Sequence, residues 1–237
     1  MRKTKKNEGK NKIFYTIKFI IIGDSSVGKT NIVHRFGKNE FSNEYANTIG
    51  MDYLSCNVEI DEKIFHLQLW DTAGSEKFRS VTRGYYSNTA CALVVYDITS
   101  EKSFISVKAW IEDCKSYTSK NTHFVLVGNK NDLEAQRKVN KDEAEAFATE
   151  NGMSFFESSA LTAYNINEIF FDSCKIINDK INNKEYNFED PSEGIKIKEV
   201  HEDMKITKTI NFSNNKKLDK DLHIDKSDNS KHRSKCC

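Results

Sequence analysis

The stretch Gly23-Asp24-Ser25-Ser26-Val27-Gly28-Lys29-Thr30 constrains this chain more than any other part of its 237 residues. It satisfies GxxxxGK[ST], and it lies between the all-apolar run FIII (19–22) and the helical pattern NIVHRF (31–36), the strand-turn-helix setting that the motif requires. Glycines at 23 and 28 let the backbone curl until successive N–H groups point at phosphate oxygens. The following helix adds the positive end of its dipole. Lys29 is placed to reach the outer phosphates, and the Thr30 hydroxyl to ligate the Mg²⁺ that such phosphates need. Alone, the motif fits an ATPase or a kinase as well as any other nucleotide-binding chain.

Around it, apolar runs alternate with helical patterns from about residue 13 to 183, which implies an α/β fold with a mostly parallel sheet. FIII, ALVV and FVLV read as strands buried on both faces, whereas VEIDEKIF reads as a hairpin turned at Asp61-Glu62, giving one antiparallel edge. Residues 1–12 form a Lys/Asn-rich basic leader expected to be disordered. Residues 184–237, which hold Pro191, the single proline, lack periodicity and read as a flexible tail.

A formal net charge of +1 gives no global basic field, so no nucleic-acid partner is expected. The six cysteines, at 56, 91, 114, 174, 236 and 237, form no CxxC pair, which argues against a disulfide framework and for a reducing, cytosolic setting. The apolar stretch at 19–22 is too short for a secretory signal or a membrane span.

Asn129-Lys130-Asn131-Asp132 follows the run FVLVG directly. The Asp132 carboxylate can accept two hydrogen bonds, from N1 and the exocyclic amine of guanine, a pair that adenine does not offer. In an Asn/Lys-rich chain the same four residues also read as an Asx-type turn, and only their order relative to the phosphate loop favours base recognition.

With GDSSVGKT, Thr48 in the loop after the first helix, WDTAG at 70–74, NKND at 129–132 and ESSA at 157–160, the sequence resembles the Ras superfamily of small GTPases over about residues 17–181. TIGMDY at 48–53, LQLWDTAG, EKFRSVTRGYY at 76–86 and YDIT at 96–99 narrow the resemblance to the Rab family. The Rho-type insert after NKND is absent, and Arg2 removes the myristoylation glycine expected of Arf proteins. The resemblance implies a G domain over 13–183, with six strands, one of them an antiparallel edge, and helices on both faces. It implies a GTP/GDP switch that hydrolyses GTP to GDP and phosphate and recruits effectors for vesicle traffic.

Carried over motif by motif, the resemblance makes Thr30, Thr48 and Asp71 the Mg²⁺ set. Gly74 would sense the γ-phosphate through its N–H, Lys130 would pack against the base and the phosphate loop, and Ser159 and Ala160 would support guanine. Leu161 stands where the family commonly has lysine. Phe41 matches the aromatic that stacks near guanine, although ordinary core packing would also suit it. Tyr53, Trp70 and Tyr85 match the aromatic triad between the switches that effectors read; the other reading is simple sheet aromatics.

Ser75 is the most informative departure, because the resemblance predicts a glutamine there to orient the attacking water. Serine reaches about two bonds less far, so intrinsic hydrolysis should be slow while nucleotide affinity stays intact. TBC-type GTPase-activating proteins are understood to supply both an arginine and a glutamine in trans, so the cycle could still turn. The alternative is a nucleotide-stabilised membrane scaffold with negligible hydrolysis.

Cys236-Cys237, after Lys231, Arg233 and Lys235, is similar to Rab tails that carry two geranylgeranyl groups. Two lipids are what stable anchoring demands. The resemblance further implies a monomer on the cytoplasmic face of an intracellular membrane, with a cytosolic pool. It would be served by a nucleotide exchange factor, a GDP dissociation inhibitor, and the Rab escort protein with its geranylgeranyl transferase.

Overall fold

The protein is described by a computed structural model that covers residues 12–44, 48–75, 79–200 and 209–210. The leader before residue 12, Glu76, and the Cys236-Cys237 pair lie outside the described residues. The apolar runs become strands β1 (Lys12–Ile22), β4 (Cys91–Asp97) and β5 (His123–Asn129), with β4 and β5 buried at every position. β1 pairs in parallel with β3 (Lys63–Thr72) and β4, β4 with β5, and β5 with β6 (Ser154–Glu157). β2 (Met51–Ile60) is antiparallel to β3 in a register that closes at Ile60 opposite Lys63. Asp61 and Glu62 both adopt positive φ, 49° and 62°, as a two-residue hairpin of matching twist demands. The expected turn is therefore present.

Helices cover both faces. α1 (Lys29–Lys38) and α5 (Ile166–Asn182) bury one core with the odd positions of β1, where Phe36 stacks on Phe170 at 4.0 Å. α5 buries Ile166, Ile169, Phe170, Cys174, Ile177 and Ile181, a three-and-four spacing that puts one apolar face on the sheet. Each such aliphatic or aromatic side chain contributes about 1.5–3 kcal/mol on burial. α3 (Glu101–Lys115) and α4 (Lys141–Glu150) enclose the second core, around Ile20, Ile22, Leu126 and Trp110. A short α2 (Arg79–Arg83) lies between β3 and β4. Among the described residues no helix is long and apolar enough to cross a membrane.

The end of the domain differs from expectation. The chain after α5 was expected to be coil from residue 184, yet it makes a 3₁₀ turn at Pro191–Glu193 and then β7 (Ile195–Val200), antiparallel to β1 from Lys12 to Ile17. Ile195 and Tyr186 are buried, and the Glu193 carboxylate accepts hydrogen bonds from the Ser119 hydroxyl and the Asn121 amide. The cause is an extended β1: its first half runs past the start of β4 and leaves an open edge, which the alternating IKIKEV fills. A short β8 (Thr209–Ile210) pairs with β2 at Asn57 and Val58. The six expected strands thus gain two more, and the strand order is β6-β5-β4-β1-β3-β2-β8, with β7 on β1. Lys12, assigned to the leader, already belongs to β1.

Candidate functional site

The loops GDSSVGKT, WDTAG, NKND and ESSA leave the carboxyl ends of β1, β3, β5 and β6, and with the segment before β2 they converge on one cavity of about 450 Å³. Ser25, Ser26, Gly28, Lys29 and Thr30 line one end, and Asn129, Lys130, Asp132, Ala160 and Leu161 the other, with Phe41, Thr48 and Gly74 closing the sides. Gly23, Asp24, Val27, Asp71 and Ser159 do not line the cavity themselves. Ser75 follows Gly74 outside the lining. Leu133, which no motif marked, lines it too.

At the phosphate end Lys29 is buried, and its ammonium donates to the carbonyls of Gly23 at 2.9 Å and Asp24 at 2.8 Å. Burial lowers its pKa to about 8, against the opposing pull of Asp71 and Asp24. An ammonium hydrogen-bonded to neutral carbonyls in this way favours an arriving anion. Gly74 sits so close to the Asp24 backbone and the Lys29 Nζ that a Cβ there would collide with both.

Beside it, Thr30 donates its hydroxyl to Asp71 Oδ2, Thr48 Oγ1 lies 3.4 Å from the same oxygen, and the two threonine hydroxyls are 3.1 Å apart. Asp71 Oδ1 is buried with no hydrogen-bond partner among the described residues. Burial raises the Asp71 pKa, with the Thr30 hydrogen bond and Lys29 opposing it. A buried, under-satisfied carboxylate beside two hydroxyls is a hard, all-oxygen donor set, so the residues fit Mg²⁺.

At the base end the buried Asn129 ties the two halves together. Its amide donates to the Val27 carbonyl at 2.9 Å, and its Oδ1 accepts from Ser158 and from the Ala160 N–H, each at 3.3 Å. Lys130 adopts a left-handed φ of 68° and pairs with Asp97 at 2.7 Å. The Asp132 carboxylate accepts from the Ser159 hydroxyl. Arg35 on α1 braces this end, donating to the Ala160 carbonyl at 2.8 Å and the Leu161 carbonyl at 3.2 Å, while its guanidinium lies over the Phe41 ring. Phe41 thus packs partly on the core and also lines the cavity. No motif predicted the Arg35 brace, because it joins positions 125 residues apart.

On the opposite side of β3, Tyr53, Trp70 and Tyr85 do come together, the Trp70 ring lying 5.9 Å, centroid to centroid, from Tyr53 and from Tyr85. Lys18, missed in the sequence, holds them from beneath: its ammonium lies 4.2 Å from the Trp70 ring centre and donates to the carbonyls of Tyr85 and Ser87.

Comparison with known proteins agrees with this geometry. The Ras family model matches residues 18–179. The chain is 46% identical over 167 residues to "Ras-related protein Rab-2B" of Dictyostelium discoideum, covering 70% of this chain and 83% of that protein.

Proposed function

Since the chain belongs to the Rab family of Ras-type small GTPases, we propose that its cavity holds the nucleotide of a switch whose own chemical step is slow. The chain is a GTPase, hydrolysing GTP to GDP and phosphate, and a GTP-binding switch of vesicle trafficking. Ras-family GTPases bind GTP or GDP and generally Mg²⁺. The observation that carries the assignment of residues is the Asn129 amide on the Val27 carbonyl, which draws the base-reading loop and the phosphate loop onto one cavity.

In this reading Asp132 accepts from guanine N1 and its amino group, the Ala160 N–H turns to O6, and Lys29 meets the β- and γ-phosphates. Thr30, Thr48 and Asp71 would hold Mg²⁺, which when bound neutralises phosphate charge. Thr48 and the Gly74 N–H sense the γ-phosphate, and its loss releases both loops. The catalytic set is then Lys29, Thr48, Gly74 and Ser75, with Ser75 too short to fix the attacking water. An arginine finger in trans is worth about 10³–10⁵ in rate, so a TBC-type activator restores turnover. The test is single-turnover hydrolysis: Ser75→Gln should be faster than wild type, and equal intrinsic rates would refute the role of Ser75.

Ser75 also favours a second reading, a standing membrane scaffold that binds GTP and seldom hydrolyses it. GTP turnover that stays negligible with a TBC activator present would establish it. In either case Cys236 and Cys237 carry two geranylgeranyl groups, delivered with the escort protein, and hold the chain to the cytoplasmic face of an intracellular membrane. A GDP dissociation inhibitor maintains the cytosolic pool, an exchange factor reloads GTP, and effectors dock on Tyr53, Trp70 and Tyr85.

A further inference from the structure

Asp24 is the second residue of the phosphate loop, and its side chain is committed away from the cavity. Its Oδ1 accepts a 2.8 Å hydrogen bond from the indole N–H of Trp110, which reaches it from α3 across 86 residues of sequence. Trp110 is 1% exposed, packed in the α3/α4 core, and does not line the cavity. An indole N–H is a donor only, so once buried it needs an acceptor, and a carboxylate makes that bond charge-assisted. The backbone of the same Asp24 faces the chemistry: its carbonyl takes the Lys29 ammonium at 2.8 Å and abuts Gly74. One residue therefore joins a buried core tryptophan to the phosphate-binding lysine and to the glycine of the second switch.

We propose that Trp110 is a positioning residue for the nucleotide: through Asp24 it fixes the start of the phosphate loop and, with it, Lys29. The proposal rests on the reading of the cavity as a guanine-nucleotide site. Trp110 touches no substrate, and its effect passes entirely through the Asp24 carboxylate. Electrostatics alone gives the opposite sign. A carboxylate near bound phosphates repels them, so deleting its charge should slow nucleotide release, whereas losing the anchor should speed it.

The experiment measures release of fluorescent GDP from the full chain. Trp110→Phe removes the donor but also volume, so the decisive variant replaces Trp110 with 3-benzothienylalanine, which keeps the bicyclic shape and lacks the N–H. That variant and Asp24→Ala should each release GDP on the order of tenfold faster, the scale of one hydrogen bond to a charged group. The double variant should release no faster than either single one, because both break the same link. Asp24→Asn keeps an acceptor oxygen without the charge and should fall between wild type and Asp24→Ala. Release at the wild-type rate from the benzothienyl variant, or additive effects in the double variant, overturns the proposal and leaves Trp110 as core packing. A wild-type chain that binds no GDP overturns the nucleotide reading itself, a separate result.

Discussion

Replacing Gly194 with alanine probes whether the segment after α5 belongs to the folded domain. Gly194 has φ 70°, and a Cβ there would run into the backbone of Ala90, Asn88 and Thr89. Backbone atoms cannot rotate aside, so the segment must lift. The left-handed conformation alone costs an alanine about 1 kcal/mol. Lifting also breaks the 3.1 Å bond from the Lys18 N–H to the Gly194 carbonyl and re-exposes Ile195, now 1% exposed; together these losses amount to about 3 kcal/mol. Gly152→Ala is the matched control, because Gly152 has φ 66° with nothing within 4 Å of an added Cβ. It should lose only the conformational part. Hydrogen exchange supplies the local readout: in Gly194→Ala the Lys18 amide and the amides of 13–17 that face β7 should lose protection, while those of β4 and β5 keep theirs. If exchange at 13–18 is unchanged and the melting temperature falls no further than in Gly152→Ala, the docking of β7 on β1 is refuted.

Thr30→Asn removes the hydroxyl that meets Asp71 and Thr48, and it should abolish any preference for GTP over GDP in a competition assay. His123 is buried and bonded to the Ser154 hydroxyl, and burial, with Lys180 nearby, lowers its pKa to about 4. The folded state then binds fewer protons than the unfolded chain, whose histidine titrates near 6.5, so stability should fall as pH drops from about 6.5 to 4, by at most about 3 kcal/mol. Urea unfolding at stepped pH measures this, and His123→Gln should flatten the profile in that window. Changing Cys236 and Cys237 together to serine should move the chain from the membrane fraction to the soluble fraction, while GDP binding in solution is retained.

What was legible in the sequence is what depends on neighbours along the chain. The phosphate loop, NKND and the Asp61-Glu62 turn were readable because each is a local backbone geometry with a local residue requirement, a lysine beside glycine or two residues at positive φ. The strands β4 and β5 were readable because burial on both faces leaves unbroken apolar runs. β7 follows a different rule. IKIKEV alternates as a strand should, but a strand of this length needs a partner edge, and that edge exists only because β1 begins at Lys12, well ahead of its first pair with β4 at Phe19. Nothing local to 195–200 specifies this, so a lysine-rich composition made coil the natural expectation.

The same distinction separates the site residues found from those missed. Asp71 and Thr48 stand in recognisable strings, whereas Lys18, Arg35 and Trp110 act by reaching a carbonyl or carboxylate 67, 125 and 86 residues away. Each is an ordinary member of its own element: an alternating strand position, a basic residue in the last turn of α1, an apolar position of α3. Their roles arise where parallel crossovers bring α1, α3 and the strand ends to one rim. In the proposed reading the motifs name the groups that meet the nucleotide, while the fold supplies the donors that hold those groups still, and a substitution among the donors should alter rates of release before it alters which nucleotide is bound.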